Sequence, residues 1–122
     1  MSYEAYTLIH LSGVFLVLMA LGALAVHFFQ GGTKESLRAK KMLYIGHGLG
    51  MFLILLGGFG MLARLGIHWP WPTWIIIKFS VWILLGGLIA LIPRYPEQGR
   101  ILWLFTFALA LGAILSVYFR VP

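Results

Sequence analysis

The strongest constraint on this chain is its division into four apolar runs, over residues 6–29, 43–65, 73–92 and 101–118, joined by short connections. Each run holds roughly 18 to 24 residues, enough for a helix rising about 1.5 Å per residue to cross ~30 Å of hydrocarbon. A soluble fold would need a polar shell, and none is available. Only 10% of the 122 residues are charged and 61% are hydrophobic, against about 25% charged in a soluble domain. Lipid is therefore expected to form the outer surface. Strands are set aside, because an open hairpin in lipid leaves backbone groups unpaired and the runs lack the period-two alternation of a barrel. The predicted fold is all-α: one integral membrane domain over residues 1–122, an up-down-up-down four-helix bundle. Met1-Ser2-Tyr3-Glu4 places an acid where a secretory leader has cations. The first run is also longer than a leader's apolar region, so it is expected to persist as a span.

The connections set the orientation. Lys34, Arg38, Lys40, Lys41, Arg94 and Arg100 lie in or beside the first and third connections, whereas only Arg64 and Arg120 lie at the opposite ends. Cations concentrate on the cytoplasmic side of membrane proteins, which predicts both termini outside and a multi-pass protein of the plasma (inner) membrane. The formal charge of +6 thus has a membrane explanation. Nucleic-acid binding, which requires a solvated basic face, is not expected. At the outer boundary, His68-Trp69-Pro70-Trp71-Pro72-Thr73-Trp74 reads as an aromatic interfacial belt whose prolines end one helix and open the next.

Because lipid tails are as apolar as leucine, helices in a bilayer associate through close packing. Small residues are present for that purpose. The second run carries Gly46, Gly48, Gly50, Gly57, Gly58 and Gly60, and the third Gly86-Gly87. On the first, Gly13, Ala20, Ala23 and His27 fall near one helix face, and the fourth repeats the pattern with Ala108, Gly112 and Ser116. The glycines of the second run either bring helices together or make room for a flat, bulky ligand.

Ionisable residues within apolar runs are functional candidates by default. Lys78 follows Ile75-Ile76-Ile77 and precedes Phe79. No Asp or Glu occurs in any of the four runs to neutralise it, so it either snorkels to the interface or meets carbonyls or an anionic ligand. Counting from run midpoints puts His10 ~11 Å and Lys78 ~7 Å outward, and His47 ~10 Å and His27 ~14 Å inward. His68 belongs to the interface. Imidazole is the common axial ligand of haem iron in helical bundles, and two imidazoles sharing one iron must lie at similar depth, which favours His27 with His47 over His10 with His47. Alternatively, each imidazole simply bonds a neighbouring carbonyl. Zinc is disfavoured, since a closed site needs four ligands and no carboxylate or thiolate is within reach. The chain has no cysteine at all, which excludes disulfides and thiol catalysis.

These residues resemble a known group. Ile9-His10-Leu11, Ile45-Gly46-His47 with the glycines that follow, and Trp74-Ile75-Ile76-Ile77-Lys78 running through Leu84–Gly87 to Arg94 are similar to motifs of HemJ-type protoporphyrinogen oxidases and SirB-family membrane proteins. The likeness covers about residues 6–94. Trp and Lys four apart, in the helix after a matching His, are its most specific element. The resemblance implies a four-helix membrane core binding haem b or a porphyrin. His10 is then a haem ligand or proton acceptor, His47 the second-helix histidine, and Lys78 a catalytic proton relay or propionate partner. Gly46 replaces the SirB proline, and His27-Phe28-Phe29 stands where HemJ proteins carry an arginine. The functional expectation is therefore a small haem-b- or porphyrin-binding protein in electron transfer or porphyrin oxidation. The competing expectation is a cofactor-free accessory or assembly subunit of a larger respiratory complex. A homodimer is compatible with either. A transporter is disfavoured by the acid-free runs and the lack of an inverted repeat.

Overall fold

The computed structural model describes residues 1–120 and 122 and is all-helical, with no strand among the described residues. Helix α1 spans Tyr3–Phe29, α2 Lys40–Leu65, α3 Thr73–Arg94 and α4 Gly99–Phe119, with one 3-10 turn at Pro96–Gln98. All four helices are long and apolar enough to cross a membrane. They extend beyond the apolar runs by one to three residues at most ends, because capping and interfacial residues continue the helix past the hydrocarbon boundary.

The ends follow from local chemistry. Ser2 accepts a hydrogen bond from the Ala5 amide at 3.1 Å, and Glu4 lies in the first turn of α1. Hydroxyl capping and an acid near the positive end of the helix dipole both favour initiation there. The helix thus includes one acid, which sits exposed at its tip. Helix α2 ends at Gly66 in the left-handed region, φ 71°, with the Ile67 amide reaching back to the Leu62 carbonyl at 3.0 Å. Glycine suits that conformation because it has no Cβ to clash. Helix α3 opens behind Pro72 and runs through Pro93, which lies in its last turn.

Helix α1 is the hub. Its Val17, Leu21, Leu24 and Ala25 are fully buried, joined by Leu88 and Ile92 of α3 and Leu109 of α4. Against α2 the packing is backbone to backbone. A Cβ added to Gly13 would lie 2.6 Å from the Gly50 carbonyl oxygen, and one added to Gly57 would lie 2.6 Å from the His10 nitrogen. Gly60 lies under the Tyr6 ring. Tyr6, His10 and Gly13 therefore meet Gly60, Gly57 and Gly50 in reverse order, so the two helices are antiparallel. Helix α4 packs on α1 at the other end of the bundle, where a Cβ on Gly99 would lie 3.0 Å from the Ala25 carbonyl.

Two small-residue faces differ from the sequence expectation. Ala23 and Ala108 are exposed; α4 buries the expected Ser116, but with Thr106 and Leu109 rather than Ala108. Helical spacing establishes that residues share a face but not that the face meets another helix. Gly46, Gly48, Gly87 and Gly112 likewise have open space where a methyl group would stand. Replacing Gly50 by Leu should overpack the α1–α2 contact and destabilise the protein by about 1–3 kcal/mol or more. Gly48→Ala, on an open face, should be neutral or slightly stabilising through helix propensity. Thermal unfolding in detergent, followed by helical circular dichroism, separates the two.

Candidate functional site

At the end of the bundle formed by the start of α1 and α3 and the close of α2 and α4, all four helices line a cavity of about 600 Å³. Its size falls within the range of about 300–1,000 Å³ typical of small-molecule and cofactor sites. The walls are apolar and aromatic, with Trp71, Trp74, Phe79 and Trp82 along one side. Only a few polar groups converge on it: Thr7, His10, Lys78 and Arg120 carry most of the site's chemistry.

His10 reaches the cavity because Gly57 and Gly58 leave room for its ring. Its Nδ1 lies 2.8 Å from the Ile54 carbonyl oxygen of α2. A carbonyl only accepts, so in the neutral ring Nδ1–H donates and Nε2 keeps its lone pair. No buried side-chain nitrogen or oxygen among the described residues lacks a hydrogen-bond partner, so the unbonded Nε2 is not sealed in protein, and His10 lines the cavity. The bond to Ile54 sets both tautomer and orientation, the arrangement by which proteins hold a ligating or proton-accepting imidazole.

Lys78 lies one turn beyond Trp74, and both side chains line the cavity. Its side chain is half-buried and has no acid beside it, since no Asp or Glu lines the cavity. Arg120 adds a second cation at the rim, its guanidinium stacked 5.6 Å from the centre of the Trp74 ring. The cavity thus combines two cations with aromatic walls, and no acid is among its lining residues.

The other histidines are placed elsewhere. His47 is 5% exposed and its Nε2–H donates to the Leu85 carbonyl of α3 at 3.1 Å. It braces α2 against α3. His27, in the last turn of α1, turns toward the first connection, where its Nε2 lies 2.8 Å from the Thr33 carbonyl and 3.2 Å from the Ser36 hydroxyl. Helix ends leave polar groups to satisfy, and His27 satisfies those of the loop. Although spacing puts His27 on the small-residue face of α1, its ring bonds the loop rather than a neighbouring helix. The His27–His47 pairing is not assembled either, because each ring directs its Nε2 to a different carbonyl. His68 is exposed.

Among the described residues, no group of three or more His, Asp or Glu side chains gathers to hold a metal ion on protein ligands alone. Sequence reasoning singled out Trp74 with Lys78 but missed Arg120, Trp71 and Trp82 as cavity residues. Arg120 was legible only as a cation on the side where cations are scarce, and Trp71 reads as a belt residue until the fold turns it inward. Trp82 donates its indole N–H to the Met51 carbonyl at 3.0 Å, which fixes the wall it forms. Comparison of the chain with protein-family models, with curated proteins and with solved structures gives no match.

Because His47 is a brace outside the cavity, His47→Ala should cost about 1–2 kcal/mol or somewhat more of stability, from the lost interhelical bond and the void it leaves. Small-molecule binding at the cavity should persist. Unfolding midpoint and ligand occupancy measured on one preparation test this pair of outcomes.

Proposed function

We propose that the protein is a multi-pass membrane protein, an up-down-up-down bundle with both termini on the outer side, that holds haem b or a related porphyrin in this cavity. The observation that carries the reading is the coincidence, in one aromatic cavity, of an imidazole with a fixed tautomer and free Nε2 and two cations lacking acids. A macrocycle supplies four nitrogens itself, so one imidazole suffices where a bare metal ion would need more protein ligands. His10 would hold the iron of such a group, Lys78 and Arg120 would pair with its carboxylates, and Trp71 and Trp82 would supply apolar wall. Lys78 is also placed to move a proton at the ligand's edge.

Bound haem would supply one-electron chemistry, which fits electron transfer or, with an external electron acceptor, oxidation of a porphyrinogen. The resemblance of the His10, His47 and Trp74–Lys78 motifs to HemJ-type and SirB-family proteins supports the same class. In this fold His10 and Lys78 carry the chemistry, while His27 and His47 serve architecture. The charge distribution supports the plasma (inner) membrane as location, with Lys34, Arg38, Lys40, Lys41, Arg94 and Arg100 inward.

Protein purified from haem-replete cells should show a Soret band. His10→Ala should abolish it and His47→Ala should keep it. Lys78→Gln should weaken haem affinity roughly 10- to 100-fold, the worth of one charge-assisted contact. A colourless, porphyrin-free wild type overturns the reading in favour of a cofactor-free accessory subunit, which should then co-purify stoichiometrically with a larger complex.

A further inference from the structure

A second cleft opens at the opposite end of the bundle from the aromatic cavity, between the close of α1 and the turn that leads into α4. It measures about 610 Å³, and of its eight lining residues only Glu97 and Arg100 are charged. Phe28, Phe29 and Ile101 supply apolar wall. The fold forms the cleft by packing Gly99 against Ala25 and Phe29, which sets the third connection beside the first. Gly31, with φ 91°, also lines it, and a Cβ there would meet nothing within 4 Å.

Glu97 and Arg100 stand three residues apart, a spacing that brings side chains to one face of a helical turn. Opposite charges so placed ordinarily pair. Here the guanidinium stacks on the Phe29 ring instead, 5.6 Å from its centre. Among the described residues the two form no ion pair. The cleft therefore holds one cation and one anion, neither neutralised by the other.

Lys34, Arg38, Lys40, Lys41, Arg94 and Arg100 all belong to this end of the bundle, and basic clusters at helix ends attract anionic lipid in general. An acid among the lining residues disfavours a purely anionic occupant, because like charges repel. It suits a group that carries both signs. The phosphodiester of phosphatidylethanolamine presents oxygens that match the guanidinium fork. Its ammonium, on a short ethyl link, has three N–H donors for a carboxylate, whereas the choline headgroup has none. Phe29 is 38% and Ile101 62% exposed, so apolar surface continues from the cleft for the start of the acyl chains.

We infer that this cleft binds the headgroup of phosphatidylethanolamine, with Arg100 on the phosphate and Glu97 on the ammonium. The inference rests on the membrane part of the reading above and is independent of the porphyrin.

The test uses the full chain in dodecyl maltoside, with native mass spectrometry measuring retention of the dioleoyl forms of phosphatidylethanolamine, phosphatidylcholine and phosphatidylglycerol. Wild type should retain phosphatidylethanolamine roughly tenfold more tightly than either of the others, the worth of one charge-assisted contact. Glu97→Gln should bring it down to the level of phosphatidylcholine, and Arg100→Gln should weaken all three lipids by a similar factor. Lys34→Gln, which removes an exposed cation that does not line the cleft, should change nothing. All three side chains are exposed, so unfolding midpoints should match wild type and a folding defect is recognised separately. Equal retention of the three lipids overturns the site. Tighter retention of phosphatidylglycerol, insensitive to Glu97→Gln, overturns it in favour of a general basic surface. Displacement by soluble phosphoethanolamine at equal concentration overturns the lipid as the source of the headgroup. A chain that is monodisperse in water without detergent overturns the membrane reading, and the lipid site with it.

Discussion

The contact between the backbones of α1 and α2 is the constraint on which the rest of the structure depends. In lipid there is no water to expel from between helices, so attraction requires surfaces that fit at van der Waals distance. Gly13 and Gly50 provide that fit, each lying where the other would tolerate no side chain. Gly57 does the same beneath His10. This closeness is what brings the Ile54 carbonyl within 2.8 Å of the imidazole. If α2 stood one methyl group further away, the bond would lengthen beyond useful geometry, and the ring would be free to choose either tautomer. Packing between helices thus decides the chemistry of a nitrogen atom several residues away.

A hub arrangement follows. With α1 in the centre, α2, α3 and α4 surround it without forming a symmetric square, and Gly99 packs α4 on α1 at the end away from the cavity. The space left at the other end is the cavity. That asymmetry explains how a chain with few polar residues can place several of them in one spot. His10 and Lys78 each lie near the start of one of two parallel helices, and Arg120 closes the antiparallel α4. Three helix ends on one side of the membrane therefore contribute to one site, with no polar residue needed at the bilayer centre, where its insertion cost is greatest.

The four helices were legible in the sequence because span length and hydropathy follow directly from membrane thickness. Depth was also readable: counting residues put His10 and Lys78 at one level, and they line one cavity. Direction was not. Ala23 shares a helix face with Gly13 and Ala20 by spacing yet is exposed, since periodicity does not say which face a neighbour covers. His27 was misdirected for the same reason, because its position at the end of α1 puts it within reach of a loop whose course the sequence does not reveal. Trp71 and Arg120 were hidden by good rules with other purposes. Aromatic belts and charge asymmetry account for both residues statistically, and only the fold turns one into a wall and stacks the other on Trp74.

The contrast between His10 and His47 shows how one residue type divides into two roles. Both are intramembrane imidazoles bonded to a carbonyl of a neighbouring helix. The difference is which nitrogen is used. Nε2 is the atom farthest from the side chain's own backbone, and Nδ1 the nearer. His47 gives its far nitrogen to Leu85, which braces α2 against α3, and its ring is not among the residues that line the cavity. His10 gives its near nitrogen to Ile54, which leaves the far one unbonded on a ring that lines the cavity. Under the porphyrin proposal, one cavity imidazole beside two cations and an aromatic wall suffices, and His47 serves to hold together the helices that form the cavity.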